Sequence, residues 1–135
     1  MLDGGGIRGY SEIIIVEQLM LRVKHELELP TLPKPCDYFD LICGTSTGGI
    51  IAILLGRLRM SVKEVKDVYK ELCKEIFSNP KKHVSEGKFS ATNLETLMKK
   101  TIANCEASNV SGRTTEAERA ELPLIEAPDE QKCKV

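Results

Sequence analysis

Apolar residues in the first part of the chain recur at steps of three and four, which is the spacing of one face of an amphipathic helix. The pattern predicts a helix over about residues 11–29, and Pro30, Pro33 and Pro35 then end it. Its predicted apolar positions are Ile13, Val16, Met20, Val23 and Leu27, with Ile14, Ile15 and Leu19 widening the face.

Two apolar segments flank a short glycine-containing turn at residues 44–48. Residues 38–43 form a brief apolar run, which predicts a buried strand. Residues 49–58 are apolar on nearly every side, which predicts a buried helix packed under a sheet at the centre of the fold. The turn between them, residues 44–48, therefore connects a strand to a helix.

A capping box made by Ser61 and Glu64 predicts a further helix over about residues 62–77. Lysine and acidic residues alternate along it, and a solvated face is favoured over a face that contacts a membrane. The predicted apolar positions are Val65, Val68, Leu72 and Ile76, and the basic row comprises Lys66, Lys70 and Lys74.

A last predicted helix starts at a cap formed by Thr92 and Glu95 and ends near Ile102. It follows a predicted loop over about residues 79–88. Its predicted buried positions are Leu94, Leu97 and Met98.

Beyond this helix the chain loses its apolar pattern. Residues 105–131 are mostly polar and predict a long mobile loop, and residues 132–135 predict the beginning of a strand. At the other end, too few residues precede Asp3 to form the strand that should deliver a glycine loop. We therefore expect the first part of a domain at 1–104, a polar loop leading into an interrupted strand at 105–135, and truncation at both ends.

Composition narrows the class of protein. With 135 residues and a formal net charge of −1, the chain fits one small domain and gives no reason to expect nucleic acid as a partner. Its five cysteines are odd in number and widely spaced, which favours a reducing compartment over disulfides or a zinc site. No signal peptide, membrane span, metal site or cofactor motif is evident, so we expect a cytoplasmic protein, with peripheral attachment to membranes left open.

Residues 44–48 have the form G-x-S-x-G, which presents a serine on a tight strand-to-helix turn. We call this segment the serine turn. Gly44 and Gly48 supply the small neighbours that its strained backbone needs, and Ser46 is the predicted nucleophile. The N-terminus of the following helix would direct N–H groups and partial positive charge toward Ser46.

Residues 3–9, D-G-G-G-I-R-G, form a second motif that we call the glycine loop. A dinucleotide site is disfavoured because the required preceding strand is missing, and a phosphate-binding P-loop is disfavoured because Tyr10 replaces its lysine. The remaining interpretation is an oxyanion hole in the segment Gly4, Gly5 and Gly6, with the N–H groups of Gly5 and Gly6 pointing at the substrate oxygen. Arg8 is open to two interpretations, as a ligand for an acidic head group or as an anchor of the loop.

The sequence offers no clear base to activate the serine. His25 is expected to be solvated, and His83 lies in a lysine-rich loop. Asp3 is expected to anchor the glycine loop, and Asp129 falls in the polar tail. An aspartate can serve as a base when it lies within hydrogen-bonding reach, but none of these residues is predicted to do so.

The glycine loop and the serine turn together resemble the motifs of patatin-like phospholipases, over about residues 1–102. Within that family the sequence resembles the fungal type, and the resemblance covers the N-terminal part of the domain. The resemblance implies an α/β three-layer fold of the cytosolic phospholipase A2 type. It also implies a Ser–Asp dyad without histidine, in which Ser46 is the nucleophile and Gly4 to Gly6 form the oxyanion loop. The implied reaction is hydrolysis of acyl esters in phospholipids or other lipids. A membrane surface is one place where such a substrate would be bound.

The chain departs from that family in one respect, because no D-G-G or D-G-A motif follows Ser46. We therefore expect the catalytic aspartate to lie beyond Val135. The alternatives are a non-catalytic module that binds lipid or a partner, an inactive truncated fragment, and, on the glycine pattern alone, a nucleotide-binding module. The sequence leaves acyl-chain preference, head-group preference and oligomeric state undetermined.

Overall fold

The computed structural model describes residues 1–77, 88–104 and 133–135. The chain forms two compact units, one of residues 1–67 with 124–135 and one of residues 68–123. The helices are α1 (Gly9–Glu26), α2 (Thr47–Ala52) with a π-helical continuation (Ile53–Arg57), α3 (Val62–Phe77) and α4 (Lys88–Asn104), and the short 3-10 turns are Gly6–Arg8 and Pro35–Asp37.

The first of two isolated parallel bridges joins Leu2 to Gly44. Leu2 donates its N–H to the Cys43 carbonyl at 2.8 Å and accepts from the N–H of Thr45 at 3.0 Å. This pattern is that of a parallel ladder one residue long. It brings the start of the glycine loop beside the start of the serine turn.

The second bridge joins Leu41 to Lys134 on the same segment. Lys134 donates to the Asp40 carbonyl at 2.8 Å and accepts from the Ile42 N–H at 2.9 Å. Residues 40–45 therefore pair with a parallel neighbour at each end, as a strand in the middle of a parallel sheet would.

The predicted strand over 38–43 is therefore confirmed only in part. Within the described ranges β structure is limited to the two bridges, and no longer strand is formed. Tyr38 belongs to a turn instead, because its N–H and that of Phe39 both bond the Pro35 carbonyl at 3.0 Å. Of the predicted beginning of a strand over 132–135, residue 132 lies outside the described residues, and Lys134 forms the isolated bridge to Leu41.

Helix α1 begins two residues earlier than predicted and ends at Glu26, before the prolines. Glu28 has φ of +50°, a conformation that does not continue a right-handed helix. Of the predicted apolar face, Ile13 and Met20 are buried. The predicted widening is wrong in part, because 68% of Ile15 and 43% of Leu19 remain exposed. The predicted face itself is wrong at Leu27, which is exposed as well.

The predicted apolar helix over 49–58 is confirmed as a buried segment, although α2 begins at Thr47. Its later part widens to π geometry, in which the Leu58 N–H bonds the Ile53 carbonyl at 2.9 Å. A Cβ at Gly56 would lie 2.5 Å from the Cγ2 of Val135, so a side chain at this position would require the Val135 side chain to move. The buried residues are Ile51, Ala52, Leu54, Leu55, Gly56 and Leu58.

Helix α3 has the predicted bounds, and the Ser61 capping box is confirmed. Lys66 does not belong to a solvated basic row, because it forms an ion pair with Glu17 of α1 and both side chains are only 21% exposed. The side chain of Ile76 lies outside the described part. Val65 and Leu72 are buried as predicted, Val68 is half-buried, and the fully buried Tyr69 was not predicted.

Helix α4 is longer than predicted, and Thr92 lies inside it rather than at its cap. Leu97 is buried, whereas Leu94 and Met98 are half-buried. The predicted loop over 79–88 and the polar segment over 105–131 lie outside the described residues, apart from Lys88, which is helical.

The cysteines described by the structure, Cys36, Cys43, Cys73 and Cys133, are free thiols. Burial raises the pKa of Cys36 and of Cys73, which makes both weak nucleophiles at neutral pH. Across the described residues, no group of three or more potential metal ligands is found. No helix in those ranges is long and apolar enough to cross a membrane.

Candidate active site

Ser46 occupies the sharp turn between the bridged residue Gly44 and the first residue of α2. Its backbone has φ of +52° and ψ of −129°, a conformation that is costly for a residue with a side chain. The Gly48 N–H bonds the Thr45 carbonyl at 2.9 Å, which closes the turn. The serine is exposed at the outside of this turn, as the G-x-S-x-G pattern predicts.

The glycines of the serine turn are required by contact with neighbouring backbone. A Cβ at Gly44 would overlap the carbonyl of Gly48, and a Cβ at Gly48 would overlap the carbonyl of Leu2. At Gly49 the nearest atom to an added Cβ would be the Gly44 oxygen at 3.2 Å, a tight but less severe contact. The first two glycines therefore allow three stretches of backbone to meet at one point.

The glycine loop lies directly against this turn. Gly4, Gly5 and Gly6 have φ values of +77°, +94° and +63°, which glycine adopts without steric cost. A Cβ at Gly4 would lie 2.6 Å from the Thr45 oxygen and 2.7 Å from the Gly48 nitrogen. The two motifs predicted to form one site are thus in contact.

Three hydrogen bonds fix the position of the loop. Gly4 donates its N–H to Glu12 Oε1 at 2.8 Å. Gly6 donates its N–H to Thr47 Oγ1 at 3.2 Å. The Thr45 hydroxyl donates to the backbone oxygen of Asp3 at 3.0 Å.

The N–H groups of the predicted oxyanion loop are consequently not equivalent. Those of Gly4 and Gly6 are bonded to side chains of α1 and α2. Gly5 is exposed, and within the described part of the chain no hydrogen bond uses its N–H. Gly5 therefore presents the donor that is available to a bound oxygen atom in this conformation.

Arg8 and Asp3 flank the glycines. The Arg8 side chain is exposed and makes no hydrogen bond or ion pair with any described residue, while its backbone N–H bonds the Gly5 carbonyl at 3.4 Å. Asp3 contributes to the anchoring of the loop through its backbone oxygen. The exposed guanidinium is thus positioned at the surface next to the glycines.

The described residues bring no base to Ser46. Its hydroxyl has no hydrogen-bond acceptor among them. The His25 side chain is 88% exposed beside Glu26, as expected of a solvated histidine. His83 and Asp129 lie outside the described residues.

Glu12 and Thr47 hold the loop, and neither was selected from the sequence. Thr47 follows the serine directly in G-T-S-T-G, so a hydroxyl near the loop could have been anticipated from the motif. Glu12 stands one turn into α1 and reaches back over eight residues to Gly4, a contact that no local pattern indicates.

Comparison with known proteins gives a consistent family. A model of patatin-like phospholipases matches residues 1–129. The chain is 41% identical over 86 residues to patatin-like protein 2 of Arabidopsis thaliana, which covers 56% of this chain and 20% of that protein. It is 38% identical over 77 residues to phospholipase A I of the same plant, covering 57% of this chain and 5% of that protein. Human calcium-independent phospholipase A2-gamma is 36% identical over 77 residues, covering 57% and 9% respectively.

The chain thus spans a fifth or less of the length of these relatives. No solved structure matches it significantly. These relatives come from a plant and a mammal, and the fungal subtype stays a prediction. Since the family model extends over nearly the whole sequence and the two motifs meet in the structure, the chain belongs to the patatin-like phospholipase family.

Proposed function

We propose that this chain carries the nucleophile and the oxyanion loop of a lipid acyl hydrolase. In the proposed reaction, Ser46 Oγ attacks the carbonyl carbon of an acyl ester while its proton passes to a base. The carbonyl oxygen becomes an oxyanion, the ester bond breaks, and the alcohol leaves with a proton. Water then attacks the acyl-serine, releases the fatty acid and restores the hydroxyl.

The observation that supports this proposal is the contact between the glycine loop and the serine turn. Gly4 packs against Thr45 and Gly48, which lie on either side of Ser46, and the next residue, Gly5, is exposed and has an N–H that no described residue uses. A donor of this kind contributes about 3–4 kcal/mol to stabilising the transition state. The family supports lipid acyl hydrolysis in general, and the assignment of Ser46 and Gly5 to these roles is part of the proposal.

Membership of the family implies the α/β patatin fold, although the described residues are mostly helical. We propose the three-layer form of that fold, with residues 40–45 as a strand of a longer parallel sheet. The two bridges at Leu2 and Lys134 support this, because each extends the same segment in parallel.

The base is proposed to be an aspartate that forms a dyad with Ser46. Since no D-G-G or D-G-A motif follows Ser46 in this sequence, that aspartate would be supplied from outside the 135 residues. A chain without it would keep the nucleophile and the loop but would turn over esters slowly.

The proposed substrate is a phospholipid or a related lipid ester, met in the cytoplasm at a membrane surface. The family name supports a lipid substrate. The exposed Arg8 guanidinium beside the glycine loop is chemically suited to a phosphate head group.

A lipid-binding module without turnover is the second candidate function. It is favoured by an apolar cavity of about 240 Å³ in the first unit, together with the absence of a base among the described residues. Exposed Ile15 and Leu41 line that cavity, beside Leu2 and Phe39. A module of this kind would bind lipid whether or not Ser46 is present.

Labelling with a fluorophosphonate, which reacts with activated serines, tests the proposal. We expect a protein that carries this chain together with the proposed aspartate to be labelled, and likewise its Ser11→Ala control, since Ser11 is an exposed serine of α1, whereas Ser46→Ala should lose the label. Label that persists in Ser46→Ala would contradict the proposal. Vesicle binding without label, unchanged in Ser46→Ala, would favour the second function.

A further inference from the structure

Glu12 is a half-buried acidic residue beside the glycine loop to which neither the family motif nor the proposed reaction gives a role. It lies in the first turn of α1, and its Oε1 accepts the Gly4 N–H at 2.8 Å. Its Oε2 is buried and has no hydrogen-bond partner among the described residues. The carboxylate is therefore partly buried and makes a single hydrogen bond among the described residues, the one to the glycine loop.

That bond falls at the residue where the loop is most constrained. Gly4 is buried, has φ of +77°, and faces the Thr45 oxygen and the Gly48 nitrogen at distances too short for a side chain. The Glu12 carboxylate accepts the Gly4 N–H, so this N–H points at α1. Because the group is charged, this bond is stronger than one between neutral groups.

We infer that Glu12 is a positioning residue, whose carboxylate holds the Gly4 peptide so that the following N–H groups face the serine turn. This inference rests on the proposed function, in which the loop binds the oxyanion. It assigns the N–H of Gly4 to holding the loop, as the Thr47 bond does for the N–H of Gly6, and leaves the N–H of Gly5 as the donor for substrate. The chemistry required at position 12 is an acceptor of the right length, and not a group that transfers a proton.

Three variants of the intact chain separate these roles. Glu12→Gln keeps an acceptor oxygen at the same distance, whereas Glu12→Ala removes it. Glu17→Ala is the matched control, because Glu17 is a half-buried carboxylate on the same helix that bonds Lys66 and not the loop. The readouts are hydrogen exchange of individual amides by NMR and, in a protein that also carries the proposed aspartate, the rate of fluorophosphonate labelling.

In the native chain we expect Gly4 to exchange at least about tenfold more slowly than Gly5, since only Gly4 is bonded. Glu12→Ala should speed Gly4 exchange by about tenfold or more and slow labelling, while amides in the middle of α1 stay protected. In Glu12→Gln the exchange rate of Gly4 and the labelling rate should both stay within about threefold of the native values. Glu17→Ala should leave the exchange rate of Gly4 unchanged.

Several outcomes would overturn the inference. One is a Gly4 amide that exchanges as fast as Gly5 in the native chain, a measurement that needs no variant to fold. Another is Gly4 exchange unaffected by Glu12→Ala. A third is a Glu12→Gln variant that keeps slow Gly4 exchange but loses labelling, which would assign Glu12 to proton transfer. Failure of the proposed function would appear separately, as no dependence of labelling on Ser46, and would leave the exchange result readable.

Discussion

The backbone N–H of Gly6 donates to the side-chain oxygen of Thr47 at 3.2 Å, across 41 positions of sequence. Thr47 is the first residue of α2 and follows Ser46 directly, so this bond ties the glycine loop to the serine turn. Together with the Glu12 bond to Gly4, it holds the loop from two different helices. With the Thr45 hydroxyl, which donates to the Asp3 carbonyl, three side chains outside the glycines and the serine position the loop.

Replacing the Thr47 hydroxyl should loosen the loop. Thr47→Val keeps the shape of the side chain and removes the acceptor, so Gly6 exchange should become faster and labelling of Ser46 slower, by about threefold to tenfold. Thr47→Ser is the control, because it keeps the oxygen. The two variants are compared by amide exchange and labelling rate, and equal behaviour would show that the bond does not hold the loop.

Gly48 should be far less tolerant of a methyl group than its neighbour Gly49. Gly48→Ala would place Cβ onto the Leu2 carbonyl and should lower the free energy of unfolding by about 1–3 kcal/mol or more. Gly49→Ala meets the Gly44 oxygen only at 3.2 Å and should cost less. Urea unfolding of both variants measures the difference, and a Gly48→Ala variant as stable as Gly49→Ala would contradict the observed packing.

Alanine substitutions in the glycine loop should separate the energetic cost of a positive φ from the cost of steric overlap. Gly5→Ala meets no atom closer than Arg8 Cδ at 3.6 Å, so its cost comes from φ of +94° alone, about 1–2 kcal/mol. Gly4→Ala carries a similar strain and also overlaps the serine turn, so it should destabilise more. Thermal unfolding measures this order of stability. The rate of labelling should fall in both variants, because both alter the glycine loop that we propose to bind the oxyanion.

Local patterns predicted the parts of this structure that depend on neighbouring residues. The start of α3 follows from a capping box four residues long, and the serine turn follows from its own glycines. Contacts between distant segments were not predictable in this way. The Lys66–Glu17 pair joins residues 49 positions apart, and the spacing on α3 alone placed that lysine in solvent.

The strand and the apolar helix face show the same limit. Residues 38–43 have the composition of a strand, but a strand forms only where a partner supplies hydrogen bonds, and the described residues supply one bridge at each end. Ile15 has the right spacing for burial on α1, yet burial requires a neighbouring surface, and 68% of it stays exposed. Such outcomes depend on the rest of the fold and not on the period of the sequence.

The capping box should make stability depend on pH in the acidic range. Glu64 Oε2 accepts from the Ser61 hydroxyl at 2.6 Å and from the Ser61 N–H at 2.7 Å, and these bonds lower the pKa of Glu64. A carboxylate with a lowered pKa stabilises the fold above its unfolded pKa of about 4.3, and that contribution is lost as the pH falls through the folded value.

Ser61→Ala should therefore cost about 1 kcal/mol near neutral pH and progressively less as the medium becomes acidic. Urea unfolding from about pH 7 to about pH 3 measures the difference in free energy of unfolding between the native chain and the variant. Lys63→Ala, an exposed position on the first turn of the same helix, is the control and should show no such narrowing. A Ser61→Ala gap that stays constant across this range would contradict the link to Glu64.

The ion pair between Lys66 and Glu17 should couple α1 to the start of α3. The Lys66 ammonium lies 2.8 and 2.9 Å from the two carboxylate oxygens, and both side chains are only 21% exposed. Lys66→Ala and Glu17→Ala should each lower the free energy of unfolding, and the double variant should lose less than the sum, because either change already breaks the pair.

The hydrogen bond to Glu17 raises the pKa of Lys66, so the stabilisation is complete below the unfolded pKa of lysine, about 10.4, and is lost as the pH rises through the folded value. The exposed pair of Lys99 and Glu95 on α4 is the control and should show weaker coupling. Additive losses at Lys66 and Glu17, or a double-variant cycle unchanged between about pH 8 and about pH 12, would show that the pair does not join the two helices.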